Sequence, residues 1–138
     1  MELDPAHDRA LATLGWAQFK MGHTDEGLAT LERAVAVAPD NTQWLAQLGQ
    51  AYALAGRAER ARDVLRQLEH RARTSYISPY LLAFVHTGLG EHERALDLLE
   101  RALAERTGAV YGIKGSFLFA PLRGHPRFQA LLKQINLS

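Results

Sequence analysis

Large and small apolar residues recur along this chain at intervals of 34 positions. Gly22, Gly56 and Gly90 are separated by this interval, and the columns around them repeat with them. These columns read Leu14, Leu48, Leu82; Gly15, Gly49, Ala83; Gly27, Ala61, Ala95; Leu31, Leu65, Leu99; and Ala34, Leu68, Ala102. A fixed period of this length is typical of stacked helical repeats. We therefore divide the chain into three copies, 8–41, 42–75 and 76–109.

Each copy is expected to form two antiparallel helices. A small residue on each helix lets the two backbones approach closely, and the Leu14 and Leu31 columns are expected to fill the seam. The recurring glycines follow apolar helical patterns, where a left-handed residue turns the chain back. Ser78 and Pro79 supply an N-cap and a first-turn proline, so the fifth helix is expected to start late. The predicted helices are 8–21, 24–37, 42–55, 58–71, 78–89 and 92–105.

The chain after the third copy breaks the period. Glycines and a proline predict an irregular segment over 106–125, in which Phe117, Leu118 and Phe119 are apolar enough to pack onto the last repeat. Pro126 then opens a final helix, 126–136, whose apolar residues fall at i, i+3, i+4 and i+7: Phe128, Leu131, Leu132 and Ile135. This pattern is typical of a terminal capping helix. We predict an all-α fold, an α-solenoid of three helix pairs in one domain, 1–138.

The first copy resembles the tetratricopeptide repeat in its residues Leu14-Gly15-Trp16-Ala17-Gln18-Phe19-Lys20-Met21-Gly22, Asp25-Glu26-Gly27-Leu28, Ala34 and Pro39. The resemblance covers about residues 1–107. It implies a right-handed superhelix whose first helices line a concave groove. Leu68 and Arg73 stand where a small residue and proline are usual, which predicts looser packing between copies two and three. Because Pro5 and Pro39 are also 34 apart, we expect the chain to begin inside an array.

The C-terminal part is similar to the ends of tetratricopeptide arrays in bacterial multidomain regulators. The similarity lies in Ser78-Pro79-Tyr80, Leu99-Glu100-Arg101-Ala102, Glu105-Arg106 and Pro121-Leu122-Arg123-Gly124-His125-Pro126-Arg127-Phe128, although His125 replaces a common aspartate. It implies a bacterial chain, a fragment of a larger regulatory protein, and a natural terminus at this end.

Composition and charge narrow the range of functions that this chain could have. The chain has 138 residues and no cysteine, which excludes disulfides and thiolate metal sites and fits a cytoplasmic location. No membrane span or signal peptide is evident. Residues 1–56 carry three basic and seven acidic side chains, whereas residues 106–138 carry five basic and none acidic. This asymmetry suggests either head-to-tail contact between chains or a solvated surface.

The candidate chemistry argues against catalysis and nucleic-acid binding. Arginines between 57 and 73 alternate with Glu59, Asp63 and Glu69, which predicts a solvated helix with intrahelical ion pairs and no nucleic-acid partner. The six histidines form no metal-ligand motif, and Ser116 lacks the context of a nucleophile. We predict no enzyme, no catalytic residue, no metal and no cofactor.

The concave groove is then the candidate binding site. Its predicted partner-binding residues are Arg9, Trp16, Phe19, Lys20, Gln43, Gln47, Gln50, Tyr80 and Phe84, with Ala12, Leu54, Ile77 and Thr87 alongside. Trp16 is the expected exposed anchor, whereas Phe19 and Phe84 are equally well explained by packing between adjacent first helices. The positions of a carboxylate clamp hold other residue types, namely Ala12, Trp16, Gln47, Ile77 and Leu81.

Three hypotheses follow for function. The first is a non-catalytic interaction module that binds a protein partner through a peptide or helical segment in the groove. The second is a homo-oligomerisation module, dimeric or head-to-tail, that pairs through Leu11 and Leu14 of the uncovered first helix. The third is a domain that senses a small apolar ligand.

Overall fold

The computed structural model describes residues 7–105 and 117–137, and these ranges contain helices and no strands. The helices are α1 (His7–Lys20), α2 (Thr24–Val37), α3 (Thr42–Leu54), α4 (Ala58–Arg71), α5 (Pro79–Gly88), α6 (His92–Ala104), a 3-10 helix (Phe117–Leu122) and α7 (Pro126–Leu137). Helices α1 and α2, α3 and α4, and α5 and α6 pack as pairs, and α3 also packs on α5. The predicted α-solenoid is confirmed, and the six predicted repeat helices agree with the structure within one residue at each end.

The three recurring glycines end the first helix of each pair in the same way. Gly22, Gly56 and Gly90 have φ angles of 89°, 80° and 78°. In each turn the N–H after the glycine donates to the carbonyl five residues earlier, as His23 does to Gln18 at 2.9 Å. This is the Schellman arrangement, which favours glycine because the left-handed conformation crowds a Cβ. The turns therefore occupy equivalent backbone settings, as the period predicts.

Side-chain caps begin two of the helices, and the one at Ser78 was predicted. The side chain of Ser78 accepts a hydrogen bond from the N–H of Tyr80, and Pro79 is the first helical residue of α5. The side chain of Asn41 accepts from the N–H of Gln43 at the start of α3. Both caps satisfy an N–H that the helix itself cannot pair. The late start of α5 is thus confirmed.

Glycines allow the closest helix contact, in the first pair. A Cβ built on Gly27 would lie 2.7 Å from the carbonyl oxygen of Gly15 and 2.9 Å from the backbone nitrogen of Phe19. Leu31 fills the seam and is 1% exposed, but Leu14 is 49% exposed. The prediction that Leu14 fills this seam is wrong because it lies on a side of α1 that no described element covers.

The second and third copies also pack tightly through their first helices. A Cβ on Gly88 of α5 would lie 2.9 Å from the carbonyl oxygen of Gln50, and one on Gly49 would lie 2.9 Å from Cγ2 of Val85. Leu68 is fully buried. The prediction of looser packing at this junction is therefore wrong, because the glycines decide how closely α3 and α5 approach. Helices α1 and α3 instead meet through the side chains of Trp16 and Trp44.

The chain after the third pair covers the end of the array. The ring of Phe119, on the 3-10 helix, stacks on Phe84 with centroids 5.1 Å apart and meets Tyr80 edge-on at 5.4 Å. In α7, Phe128 and Leu131 are each 1% exposed. The predicted packing of Phe119 and the predicted start of the last helix are confirmed. The predictions for 106–116 and for the side chains of Phe117 and Leu118 lie outside the described residues.

Electrostatics holds α7 against α6. The guanidinium of Arg127 binds three carboxylates on one face of α6, those of Glu93, Asp97 and Glu100, at 2.5, 2.7 and 2.7 Å. His125 lies 2.8 Å from Glu93 as well. Hydrogen bonds from Arg127 and then His125 lower the pKa of Glu93. These two residues of the basic C-terminal region therefore pair within the chain, which weakens the case for head-to-tail contact between chains.

Arginines of α4 and its N-cap pair mainly with residues of the neighbouring copies. Arg57 pairs with Asp25 of the preceding pair, and Arg62 pairs with Glu91 of the following one at 3.3 Å. Arg66 with Asp63 is an intrahelical pair. The prediction of intrahelical pairing is correct for that pair and incomplete for the others, because the 34-residue stacking brings α4 beside residues that are distant in sequence. These ion pairs connect successive copies of the repeat on the outer side of the array.

A glycine substitution tests the close contact of the first pair. We expect Gly27→Ala to lower the free energy of unfolding by about 1–2 kcal/mol, because overpacking against the backbone of α1 outweighs the gain of ~1 kcal/mol in helix propensity. Gly124→Ala is the matched control, since nothing lies within 4 Å of its Cβ position. Denaturant unfolding followed by circular dichroism measures both. A Gly27→Ala protein as stable as the control would contradict this packing.

Acidification tests the attachment of α7. Because Arg127 lowers the pKa of Glu93, its stabilisation is present above the ordinary glutamate pKa and is lost as pH falls through the lowered one. We expect Arg127→Met to reduce the melting temperature at pH 7 and to change it much less at pH 3. The exposed Lys133 supplies the control Lys133→Met. An equal effect of Arg127→Met at both pH values would show that the ion pairs do not hold the helix.

Candidate functional site

A pocket of about 380 Å³ lies between α1 and α3. It is lined by Ala12, Thr13, Trp16, Ala17, Lys20, Trp44 and Gln47. We call it the α1–α3 pocket. Residues 13, 16, 17 and 20 follow one another at helical spacing, so α1 presents one continuous stripe to it. Trp44 and Gln47 are three residues apart and form the facing wall on α3.

Trp16 forms the wall between the two copies. Its indole N–H donates to the side-chain oxygen of Gln47 at 2.8 Å, and its ring meets Phe19 edge-on at 5.6 Å. The side chain is only 6% exposed. The prediction that Trp16 is an exposed anchor is therefore wrong, because α3 packs against the indole and Gln47 accepts its N–H. Only a small part of its ring is left to contact a ligand.

Trp44 is a lining residue that sequence reasoning missed. Its indole N–H donates to the carboxylate of Asp8 at 2.5 Å, and this hydrogen bond lowers the pKa of Asp8. Trp44 lies three positions before Gln47 on the same face of a helix, which is the signal that could have identified it. The repeat alignment did not, because the equivalent position of the third copy is Ser78. Thr13 and Ala17 were also missed.

The other predicted groove residues divide into two groups. Arg9, Lys20 and Gln43 are exposed, and Phe19 is half-buried. Gln50, Tyr80 and Phe84 are buried, at 1%, 8% and 1% exposure. Packing therefore explains Phe84, whose ring Phe119 covers. The structure brings Trp16, Lys20 and Gln47 into one pocket and leaves Tyr80 and Phe84 at the junction with the C-terminal segment.

The face proposed for self-association is mostly polar. Leu11 is 6% exposed, so Leu14 contributes the larger apolar surface there. Tyr52 and Val64 line the contact between the first two copies. The equivalent positions of the first copy, 34 residues earlier, hold the polar residues Gln18 and Thr30. The hydroxyl of Thr30 donates to the side-chain oxygen of Gln18 at 2.6 Å. These two polar residues therefore satisfy one another at positions where the second copy has Tyr52 and Val64.

A larger trough of about 610 Å³ opens between α2 and α4 on the other side of the array. Its floor is apolar, but its polar rim is paired internally. Tyr52 donates to Glu32, and the guanidinium of Arg60 lies 5.7 Å from the Tyr52 ring centre. Burial raises the pKa of Tyr52, and the hydrogen bond with Glu32 adds to this effect. The polar side chains of Glu32, Tyr52 and Arg60 on its rim thus contact one another.

The described residues contain no group of three His, Asp or Glu side chains arranged to hold a metal ion. Two histidines pair instead with glutamates, His86 with Glu91 and His125 with Glu93, each at 2.8 Å. The hydrogen bond from His86 is the main cause of the lowered pKa of Glu91. Nor does any helix in the described part have the length and apolarity needed to cross a membrane.

Comparison with protein families agrees with this architecture. Two family models described as tetratricopeptide repeat match residues 12–76 and 80–101, which together make up more than half of the chain. The chain is a tetratricopeptide repeat protein. Tetratricopeptide repeats generally mediate protein–protein interaction or scaffolding and are generally non-catalytic. Searches of curated proteins and of solved structures each give no significant match.

Removing the acceptor of the Trp16 indole tests the junction of the first two repeats. We expect Gln47→Met to lower the free energy of unfolding by about 1–3 kcal/mol, because a buried N–H loses its partner. Gln43→Met, on the exposed part of the same helix, is the control and should change stability little. Denaturant unfolding followed by tryptophan fluorescence measures both. Equal stability of the two variants would contradict the Trp16–Gln47 contact.

Proposed function

We propose that this tetratricopeptide repeat protein is a non-catalytic interaction module whose α1–α3 pocket binds a peptide or helical segment of a partner protein. The observation that supports this most directly is the pocket itself, which combines two tryptophan walls with small side chains and a few polar groups. Concave sites with largely apolar walls and few polar groups are the usual setting for specific binding. The cytoplasmic location inferred from the absence of cysteine stays a prediction.

The chemistry of the walls favours an apolar side chain of the partner. Both indole N–H groups already donate to the protein, Trp16 to Gln47 and Trp44 to Asp8. The ring surfaces are then what each tryptophan offers, and aromatic surfaces bind apolar groups through close contact. Ala12 and Ala17 keep the space between these rings open because their side chains are small. An aliphatic or aromatic anchor of the partner fits this space.

The other two hypotheses have less support. Self-association through Leu11 and Leu14 would bury little apolar area, because Leu11 is already buried and Gln18 and Thr30 are polar. A small apolar ligand would use the same pocket but would leave Arg9 and Gln43, exposed polar residues on the same two helices, without a role. A peptide reaches both the pocket and these flanking residues.

Blocking the pocket tests the proposal. Peptides that bind the wild-type protein are first selected from a displayed peptide library. We expect Ala17→Arg to weaken their binding by at least about tenfold, because the new side chain fills the site. Ala17 is exposed, so the fold should tolerate the change better than it tolerates loss of the buried Trp16. Fluorescence anisotropy with labelled peptides measures the dissociation constants.

The matched control is Ala29→Arg, since Ala29 is also an exposed helical alanine of the first repeat but lies on α2, away from the pocket. Circular dichroism establishes that both variants are folded. Wild-type affinity of Ala29→Arg together with loss of binding in Ala17→Arg supports the proposal. Selected peptides that bind wild type and Ala17→Arg equally would refute the pocket as the docking site.

A further inference from the structure

The inner helices carry few charged residues, two basic and one acidic. In α1, α3 and α5 the only Lys, Arg, Asp and Glu residues are Asp8, Arg9 and Lys20. The carboxylate of Asp8 accepts the Trp44 indole N–H, and its pKa is lowered by that bond. Lys20 lines the opposite end of the α1–α3 pocket. Among the outer helices, α2 and α6 carry more acidic than basic residues, whereas α4 carries four arginines and three acidic residues.

We propose that the partner segment is acidic, with an apolar anchor between the tryptophans and a carboxylate that pairs with Lys20. This inference rests on the proposed function and adds the chemistry and orientation of the segment. The Lys20 end of the pocket attracts an anion, whereas the charges of Asp8 and Arg9 at the other end oppose one another. Charges placed in this way determine partner choice and orientation more than total affinity.

The geometry sets the spacing within the segment. Trp16 and Lys20 are four residues apart on α1, which corresponds to about 6 Å along the helix axis. An extended chain covers this distance in about two residues. The acidic residue should therefore lie about two positions from the anchor. The same carboxylate on the opposite side of the anchor would approach Asp8 and Arg9, whose charges oppose one another, so its effect should be smaller.

Synthetic peptides of different charge test this inference when their binding to wild type is compared with binding to a variant in which the charge of residue 20 is reversed. We would use ten-residue peptides that share one Leu-Phe core and carry Glu, Gln or Lys two positions after it, with a fourth peptide carrying Glu two positions before it. The chain has only two tryptophans and both line the pocket, so intrinsic fluorescence reports on its occupancy. The protein variants are Lys20→Glu and, as control, Arg33→Glu, an exposed arginine on α2.

We expect wild type and Arg33→Glu to bind one Glu peptide roughly two- to fivefold more tightly than the Lys peptide, the size of an exposed ion pair. Lys20→Glu should reverse this preference. The two Glu peptides should differ, because only one placement brings the carboxylate to Lys20. Raising the salt concentration should reduce these differences.

The outcomes separate this inference from the proposed function. The acidic partner would be overturned if all peptides changed the tryptophan fluorescence equally, whatever their charge, and if Lys20→Glu also bound them equally. The pocket would then remain as a docking site. A preference for the Lys peptide in wild type would overturn it as well. If no peptide perturbs the tryptophans and library-selected peptides also ignore Ala17→Arg, the proposed function itself fails.

Discussion

The distance at which neighbouring helices can approach, set by the size of the side chains between them, is the constraint on which this structure depends. Gly15 and Gly27 allow α1 and α2 to touch through their backbones, and Gly88 allows α5 to reach the backbone of α3. Trp16 and Trp44 hold α1 and α3 further apart. The array is thus tight wherever glycine occupies the contact, and it opens at the junction where two tryptophans take that place.

This difference in spacing leaves the α1–α3 pocket between the first two repeats. The pocket exists because the indole rings act as spacers, and the rings remain in place because Gln47 and Asp8 accept their N–H groups. The same residues therefore hold the junction together and form the walls of the candidate site. At the other end of the array, the ring of Phe119 stacks on Phe84.

The sequence predicted features that depend on nearby residues and missed those that depend on distant ones. The helices, the glycine turns and the late start of α5 follow from local patterns, so the 34-residue period gives them accurately. The burial of Trp16 depends on Gln47, 31 residues away, and on how far α3 stands from α1. Trp44 was missed for a related reason, because its partner Asp8 lies 36 residues away and the other copies have no tryptophan at that position.

The central claim is that two hydrogen-bonded indoles join the first two repeats and form the pocket. Solution NMR tests it directly, because the chain has only two indole N–H groups. We expect both indole protons to exchange slowly with solvent and the Trp16 indole proton to show a nuclear Overhauser effect to the side chain of Gln47. Rapid exchange of both protons, with no contact between Trp16 and α3, would contradict it.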